Sequence, residues 1–514
     1  MTVSACAAFL AAALLQLPAW AQASDAMMES TELSLEQVLR IALENNLDLV
    51  SAGYAPKLAE QDISTQQSNF DSVFQAQYTH VENENPPVQA SSVTGFKRDQ
   101  LNLLTEQQLK FGGSYRVQFD SRKDLTQGPL VLAPESFVSF LGFSFQLPIL
   151  RGFGTEVTSE QLLVARNDLD VSFSDFEVRV EQTLEQVEGA YWDVVAAREG
   201  LRIERLQLTR NQDLLELNRK KVEVGTLAPI EITQAEAGVA SQEEAVIVAE
   251  VSLRDAEDEL RRLMAIPADD PMWEMAIANA TRPVFEPREI DLDAEIETAL
   301  ENRSEMASRE QTVLSRELSE RAAKRRTRAQ LDLTGQYTPQ GSSLTILNQQ
   351  MVVLQQGTTG ESIENITKAT QDNWNAQLTY RIPIGNRAAK ADYARARLLR
   401  EQSEVDLDNQ QQTIRVEVRS AVRGVTSGIK RVEAARVNVR LQQKKLEAEQ
   451  KKFENGMSTS FEVLTFQNDL ADAERAEIQA RLDYIKSLAA LERAKGTLLE
   501  SRGLTLARPG ADRS

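Results

Sequence analysis

Catalysis needs a base, a nucleophile or a metal, and this chain offers little of each. His80 is its only histidine and Cys6 its only cysteine. No Cys/His cluster suits a metal ion. A Ser-His-Asp arrangement could draw only on His80, and no Gly-x-Ser-x-Gly elbow occurs. His80 falls on or just after a strand-like segment, which marks it as a surface or rim residue. Carboxylates are plentiful, with 77 Asp and Glu, and too evenly spread for any pair to stand out as acid and base. The residue types therefore point to no enzyme, no cofactor and no metal. Three carboxylates keep an interest of another kind. Glu462 and Asp469 lie seven residues apart, on one face of a helix, just beyond Gly456. Glu231 follows Gly225 at the spacing at which Glu462 follows Gly456.

The bulk composition narrows the class further. A 42% hydrophobic share over 514 residues allows ordinary cores, and the net charge of −20 disfavours nucleic acid or an anionic membrane surface as partner. Residues 9–17 are almost wholly apolar, and Ala21-Gln22-Ala23 is a small-x-small cleavage site, so residues 1–23 read as a secretory signal. The segment has no Lys or Arg, and its run is too short to span a bilayer. Cys6 lies well before the cleavage site, so no acyl anchor and no disulfide are expected. No later stretch reaches 18 apolar residues. Any contact of the exported chain with a membrane must then be made by β-strands.

The elements that carry these residues repeat. Apolar residues recur every seven positions along Phe173, Val180, Val187, Val194, Leu201, Leu208, Leu215 and Val222. They do so again along Val418, Val425, Val432, Val439, Leu446 and Phe453. Val187 and Val418 differ by 231, as do Gly225 and Gly456, and as do Ile232 and Val463 beyond the glycines. A fixed offset over so many positions is a tandem duplication. The seven-residue period calls for long helices packed as left-handed coiled coils. Lys220-Lys221 before Gly225, and Lys451-Lys452 before Gly456, are helix stops, while Pro229 and Ser458-Thr459-Ser460 are restart signals. Each half thus carries a helical hairpin with a glycine at its tip. The expected helices are 159–224 and 387–455, returning at 230–266 and 461–499. Each half opens with a further helix, from Leu35 and from Leu292.

Between opening helix and long helix the period changes to two. Trp374 to Ile382, Leu331 to Tyr337, Leu141 to Leu147 and Phe70 to Tyr78 alternate apolar and polar residues. Aromatics crowd the apolar side: Trp374, Tyr380, Tyr337, Phe143 and Phe145. Pro148 and Pro383 mark the exits from strand to long helix. Such strands fit a membrane barrel, lipid outside and water inside. Four strands cannot close one, because about eight is the smallest workable number. The chain is therefore expected to oligomerise, three copies supplying twelve strands. A further hairpin, at about 99–122 around Lys110-Phe111-Gly112-Gly113, either widens the barrel or lies at its rim. Residues 82–93 and 341–370 read as polar outer loops.

This ordered, duplicated set resembles the TolC-like outer-membrane efflux factor family over about 33–500. Its most specific pieces are the tips Val-Gly-Thr-Leu-Ala-Pro-Ile-Glu-Ile at 224–232 and Asn-Gly-Met-Ser-Thr-Ser-Phe-Glu-Val at 455–463. The strand exits Leu147-Pro148-Ile149-Leu150 and Ile382-Pro383-Ile384-Gly385-Asn386 also match. The resemblance implies a mainly α fold with a transmembrane β-barrel portion, tandem-duplicated coiled-coil hairpins forming an α-barrel, and a homotrimer with twelve barrel strands. It implies a passive channel-tunnel in the outer membrane, with a large periplasmic portion, serving tripartite efflux or type I secretion. The implied partners are outer-membrane lipid, a periplasmic adaptor protein docking at Gly225 and Gly456, and an inner-membrane RND or ABC transporter. Acidic rings near the periplasmic constriction are a family feature, and Glu462 and Asp469 occupy the matching place as gate residues.

The expected organisation is signal 1–23, first repeat 24–270, linker 271–290, second repeat 291–500 and tail 501–514. The alternatives are a periplasmic adaptor and a secreted structural coiled coil. The first normally has one hairpin rather than two; the second has no use for two-faced strands.

Overall fold

The computed structural model describes residues 30–84, 93–279, 281, 284–368 and 371–506. The signal segment and Cys6 lie outside them. In chain order the elements are β1 (Ser30–Leu33), α1 (Leu35–Asn45), α2 (Leu47–Ala52), α3 (Tyr54–Ser68), β2 (Val73–Glu84), β3 (Gly95–Gln108), β4 (Ser114–Gln127) and β5 (Glu135–Pro148). Then come α4 (Thr155–Thr158), α5 (Glu160–Glu223), α6 (Ile230–Met264), β6 (Ala276–Asn279), α7 (Leu292–Asn302) and α8 (Ser304–Arg326). The rest are β7 (Gln330–Leu347), β8 (Val353–Gln355), α9 (Thr359–Thr367), β9 (Gln371–Arg381), α10 (Arg387–Glu454), α11 (Ser460–Lys495) and α12 (Leu498–Ser501). Among the described residues no helix is long and apolar enough to cross a membrane.

The heptads form the helices they call for. α5 has 64 residues and α10 has 68, so each is about 100 Å long at ~1.5 Å per residue. Val180, Val187, Val194 and Leu201 of α5 are buried, as are Val418, Val425, Val432, Leu446 and Phe453 of α10. The chain divides into two compact units and crosses between them at five places, one of them inside α5, after residue 182, and one inside α10, after residue 422.

Among the described residues the first unit comprises those within 30–47, 183–289 and 423–490. It holds the two hairpin ends and a two-stranded parallel sheet, β1 with β6. Tyr191 is fully buried, and its hydroxyl donates to the Leu33 carbonyl at 3.2 Å. Arg261, also buried, donates to the carbonyls of Met272 and Met275 and pairs with Glu257 and Asp258. These bonds hold the chain after α6 against that helix. Leu214, Leu446, Phe453, Val463 and Leu470 form the core between the hairpins.

Among the described residues the second unit comprises those within 48–182, 290–422 and 491–506. Its helical core gathers Ala299, Met306, Ile414, Val418 and Ala494. Its sheet runs β2-β3-β4-β5-β7, with β9 and the three-residue β8 both on β7. All neighbours are antiparallel. This settles the place of the additional hairpin: β3 and β4 are inserted between β2 and β5. The sheet has six long strands where alternation alone gave four. The expected loop 341–370 is also corrected. β7 continues to Leu347, and α9 lies on the sheet. Gly341 permits this packing, because a Cβ there would stand 2.0 Å from the Ser362 carbonyl oxygen. Ser139 and Ser362 join the two layers at 2.8 Å.

Candidate functional site

Two places gather the residues singled out by sequence: the faces of the long sheet and the hairpin tips. In the sheet, antiparallel partners share a face, so register assigns every side chain. Phe74, Thr105, Val117, Phe143, Tyr337 and Trp374 stand opposite one another in one continuous row across all six strands. Phe145, Leu378 and Tyr380 lie on the same face. Trp374 is 76% exposed, and Phe143, Phe145, Tyr337 and Tyr380 are exposed with it. Gly335 opposes Phe145, and a Cβ at that glycine would come within 2.2 Å of the ring. The ring therefore lies across a position that only glycine leaves free. The other face is mainly polar, though Val73, Leu104 and Phe140 also stand on it. On β9 it carries Asn373, Asn375, Gln377 and Thr379; on β2, Gln75, Gln77 and Thr79. On β3 and β4 it carries cross-strand pairs: Arg116 with Glu106 at 2.8 Å, Arg98 with Asp124 at 2.6 Å, and Gln100 and Asn102 donating to Asp120.

Among the described residues each end strand, β2 and β9, has one neighbour. Along its other edge run the N–H and C=O groups that a partner strand would take up. Pro148 ends β5, and Ile149 donates to the Leu331 carbonyl at 2.7 Å. After β9, Pro383 leads to Gly385 and Asn386, both at positive φ. Asn386 then ties the turn to the Thr327 carbonyl at 2.8 Å. His80 lies in β2 beside Asp99, 2.7 Å away. Among the described residues no group of His, Cys, Asp and Glu could hold a metal ion.

At the tips, Gly225 and Gly456 have φ of 77° and 74°. Thr226 donates to the Lys221 carbonyl and Met457 to the Lys452 carbonyl, each at 2.9 Å. Both are the left-handed helix terminations that glycine favours. Beyond them the two repeats engage each other. Glu231 accepts the Ser460 amide at 3.0 Å, Asn218 donates to Ser460 Oγ at 2.7 Å, and Lys221 donates to the Phe453 carbonyl at 2.9 Å with its ammonium over the Phe453 ring. The carboxylate thus sits at the positive end of α11.

Glu462 is exposed. It does not repeat what Glu231 does. Ser458 Oγ lies 2.8 Å from its carboxylate and 2.5 Å from that of Glu449, so one hydroxyl serves two acids. The Lys452 ammonium, first, and then Ser458 hold the Glu449 carboxyl below its ordinary range. The counterpart of Ser460, at the same offset of 231, is Pro229, which has no amide hydrogen to give. Asp469 is half-exposed one heptad further on. Neither Glu449 nor Asn218 stood out in sequence. The offset could have found them, since 449 minus 218 is again 231.

One sequence family describes this chain. The model for "Outer membrane efflux protein" matches 142–265 and 296–497, one segment in each repeat. No curated protein matches the sequence. Among solved structures, CusC is 15% identical, with a TM-score of 0.65 over 94% of this chain and 95% of that one. The CmeC outer membrane channel of Campylobacter jejuni is 15% identical, with a TM-score of 0.62 over 90% and 86%. The MtrE outer membrane channel of Neisseria gonorrhoeae is 17% identical, with a TM-score of 0.60 over 90% and 89%. At such identities the likeness speaks for the fold.

Proposed function

The chain belongs to the outer membrane efflux protein family, and from that premise we propose that three copies close one barrel in the outer membrane above one helical conduit. It is an outer-membrane efflux channel protein. As a conduit it works without catalytic groups: it excludes lipid on one face, presents polar groups to water on the other, and closes at one constriction. The observation that carries this reading is the sheet, apolar on one face, polar on the other and open at both edges. A spanning sheet cannot leave edge groups in hydrocarbon. β2 of one copy and β9 of the next supply each other's missing neighbour, and the even strand number keeps every pair antiparallel around the ring. Phe143, Phe145, Tyr337, Trp374 and Tyr380 then face lipid.

The hairpin tips are the other working end. Gly225 and Gly456 form the surface offered to a periplasmic adaptor, which connects the channel to an inner-membrane RND or ABC transporter. Glu462 and Asp469 are the gate carboxylates. In three copies they bring like charges together, a ring that attracts cations. Heat-modifiable trimers in the outer-membrane fraction, conducting ions in a planar bilayer, are the expected result. A freely soluble monomer would overturn the reading.

A further inference from the structure

We infer that the hairpin β3–β4 is a full part of the membrane wall, so that the barrel has eighteen strands rather than the twelve the family resemblance implies. The inference rests on the trimer proposed above and concerns what each copy contributes to it. Three observations on the hairpin carry it.

The first is connectivity. β3 pairs with β2 over twelve residue pairs, from Val73↔Glu106 to Glu84↔Gly95. β4 pairs with β5 over another twelve, from Ser114↔Gln146 to Leu125↔Glu135. A rim ornament would leave β2 and β5 in contact; here they are separated by two strands along their length.

The second is facing. Leu101, Leu103, Val117 and Phe119 stand on the face that carries Phe143 and Trp374. The pairs Arg98–Asp124 and Arg116–Glu106 and the amide bonds to Asp120 stand on the opposite face, with Phe96 and Leu104 the lapses on β3. A hairpin in water has no reason to keep this separation in step with its neighbours. A wall between lipid and water requires it.

The third is the level at which the apolar face ends. Beyond Tyr78 and Leu101 the same face turns to charge: His80 beside Asp99, Lys97 with Glu82, and Lys123 with Glu135 at 3.1 Å. The change occurs on β2, β3 and β4 together, as one border crossing all of them would make it.

Width is the consequence. At a strand spacing of about 4.8 Å and a tilt of about 40°, eighteen strands give a backbone diameter of about 36 Å, against about 24 Å for twelve. The outer-membrane passage is then wide and lined by paired charges. Selection among cargoes falls to the tip constriction, not to the barrel.

Single cysteines in a Cys6→Ser background test this. An environment-sensitive fluorophore is attached at Leu103→Cys or Phe119→Cys, at Asn102→Cys or Gln118→Cys on the other face, and at Leu378→Cys as the lipid reference. The trimers are reconstituted in vesicles of dibrominated phosphatidylcholine. Labels at 103 and 119 are expected to be quenched severalfold, as at 378, and those at 102 and 118 to stay bright. Bright labels at 103 and 119 beside a quenched 378 would put the hairpin outside the bilayer and overturn the inference while leaving the channel reading intact. A bright label at 378, with a monomeric native mass, would remove the channel reading and the inference with it. Should the variants not assemble, a strand count in electron-microscopic cross-sections of the unmodified trimer decides: eighteen supports the inference, twelve ends it.

Discussion

Glu231 accepts the backbone N–H of Ser460 at 3.0 Å, so the first repeat caps the return helix of the second. A carboxylate in that position both satisfies an orphan helix donor and meets the positive end of the helix dipole. Glu231→Ala removes both contributions, and loss of a helix cap costs about 1 kcal/mol. The expected result is a lower thermal midpoint in detergent and more frequent opening in single-channel recordings. Glu231→Gln, which keeps an acceptor, should fall between. Unchanged gating in the alanine variant would deny the contact any part in closure.

Glu462 should behave differently, because its counterpart amide is missing at Pro229 and its carboxylate stays exposed. Glu462→Gln is expected to leave the thermal midpoint nearly unchanged and to lower the cation-to-anion permeability ratio severalfold, as measured by reversal potentials in a salt gradient. A reversed pattern, with stability lost and selectivity kept, would assign it a structural role.

Gly456 sits at φ 74° with open space around it. Gly456→Val meets no clash, but a side chain in the left-handed region costs about 1–2 kcal/mol. That cost falls on the tip turn alone. The trimer should assemble normally while export is impaired. Drug resistance equal to wild type in a strain dependent on this channel would contradict the assignment of the tip.

Burial pushes the Glu181 carboxyl up to about 7, aided by Glu305 and Glu177 and opposed by Arg303 and Arg493. An acid whose folded value is raised stabilises the fold in its protonated form. This contribution is fully present below the ordinary value of about 4.5 and is lost as pH rises through 7. The loss is of the order of 3 kcal/mol at most, from about 1.4 kcal/mol per unit. Glu181→Gln should therefore raise the thermal midpoint at pH 8 and change it little at pH 5. Equal shifts at both values would show that Glu181 ionises freely.

The lipid-facing assignment predicts a contrast between neighbours on β9. Leu378 and Gln377 point to opposite faces. An arginine facing lipid at mid-membrane costs about 2–4 kcal/mol per chain. Leu378→Arg should reduce the amount of trimer recovered from the outer membrane, and Gln377→Arg should not. Equal tolerance would argue that neither face meets hydrocarbon.

The long hairpin helices were legible in sequence to within a few residues, because a heptad repeat and a glycine stop are local signals. The opening helices, read as one per half, are instead broken at Asn46 and Gly53 and at Arg303. The sheet was legible only where its two faces differ. Upper β3 and β4 carry Lys97, Arg98 and Asp99, and Arg122, Lys123 and Asp124, so charge on both faces hides their alternation. β7 past Tyr337 is rich in Thr, Gly and Ser, which reads as loop. It is held as strand by pairing with β5 and by the packing of α9. The tip contacts were hidden for another reason. Asn218, Ser460 and Glu231 meet only because two hairpins lie side by side, and separations of 242 and 229 residues leave no local pattern.

Closure of the proposed barrel requires β2 of one copy to pair with β9 of another. One cysteine at Thr79 in β2, combined in turn with one at Asn373, Asn375, Gln377 or Thr379 in β9, tests it by disulfide formation in intact outer membranes. One combination is expected to give a ladder of dimers and trimers on non-reducing gels, and the neighbouring combinations are not. Monomer throughout, in membranes that contain the folded protein, would contradict it.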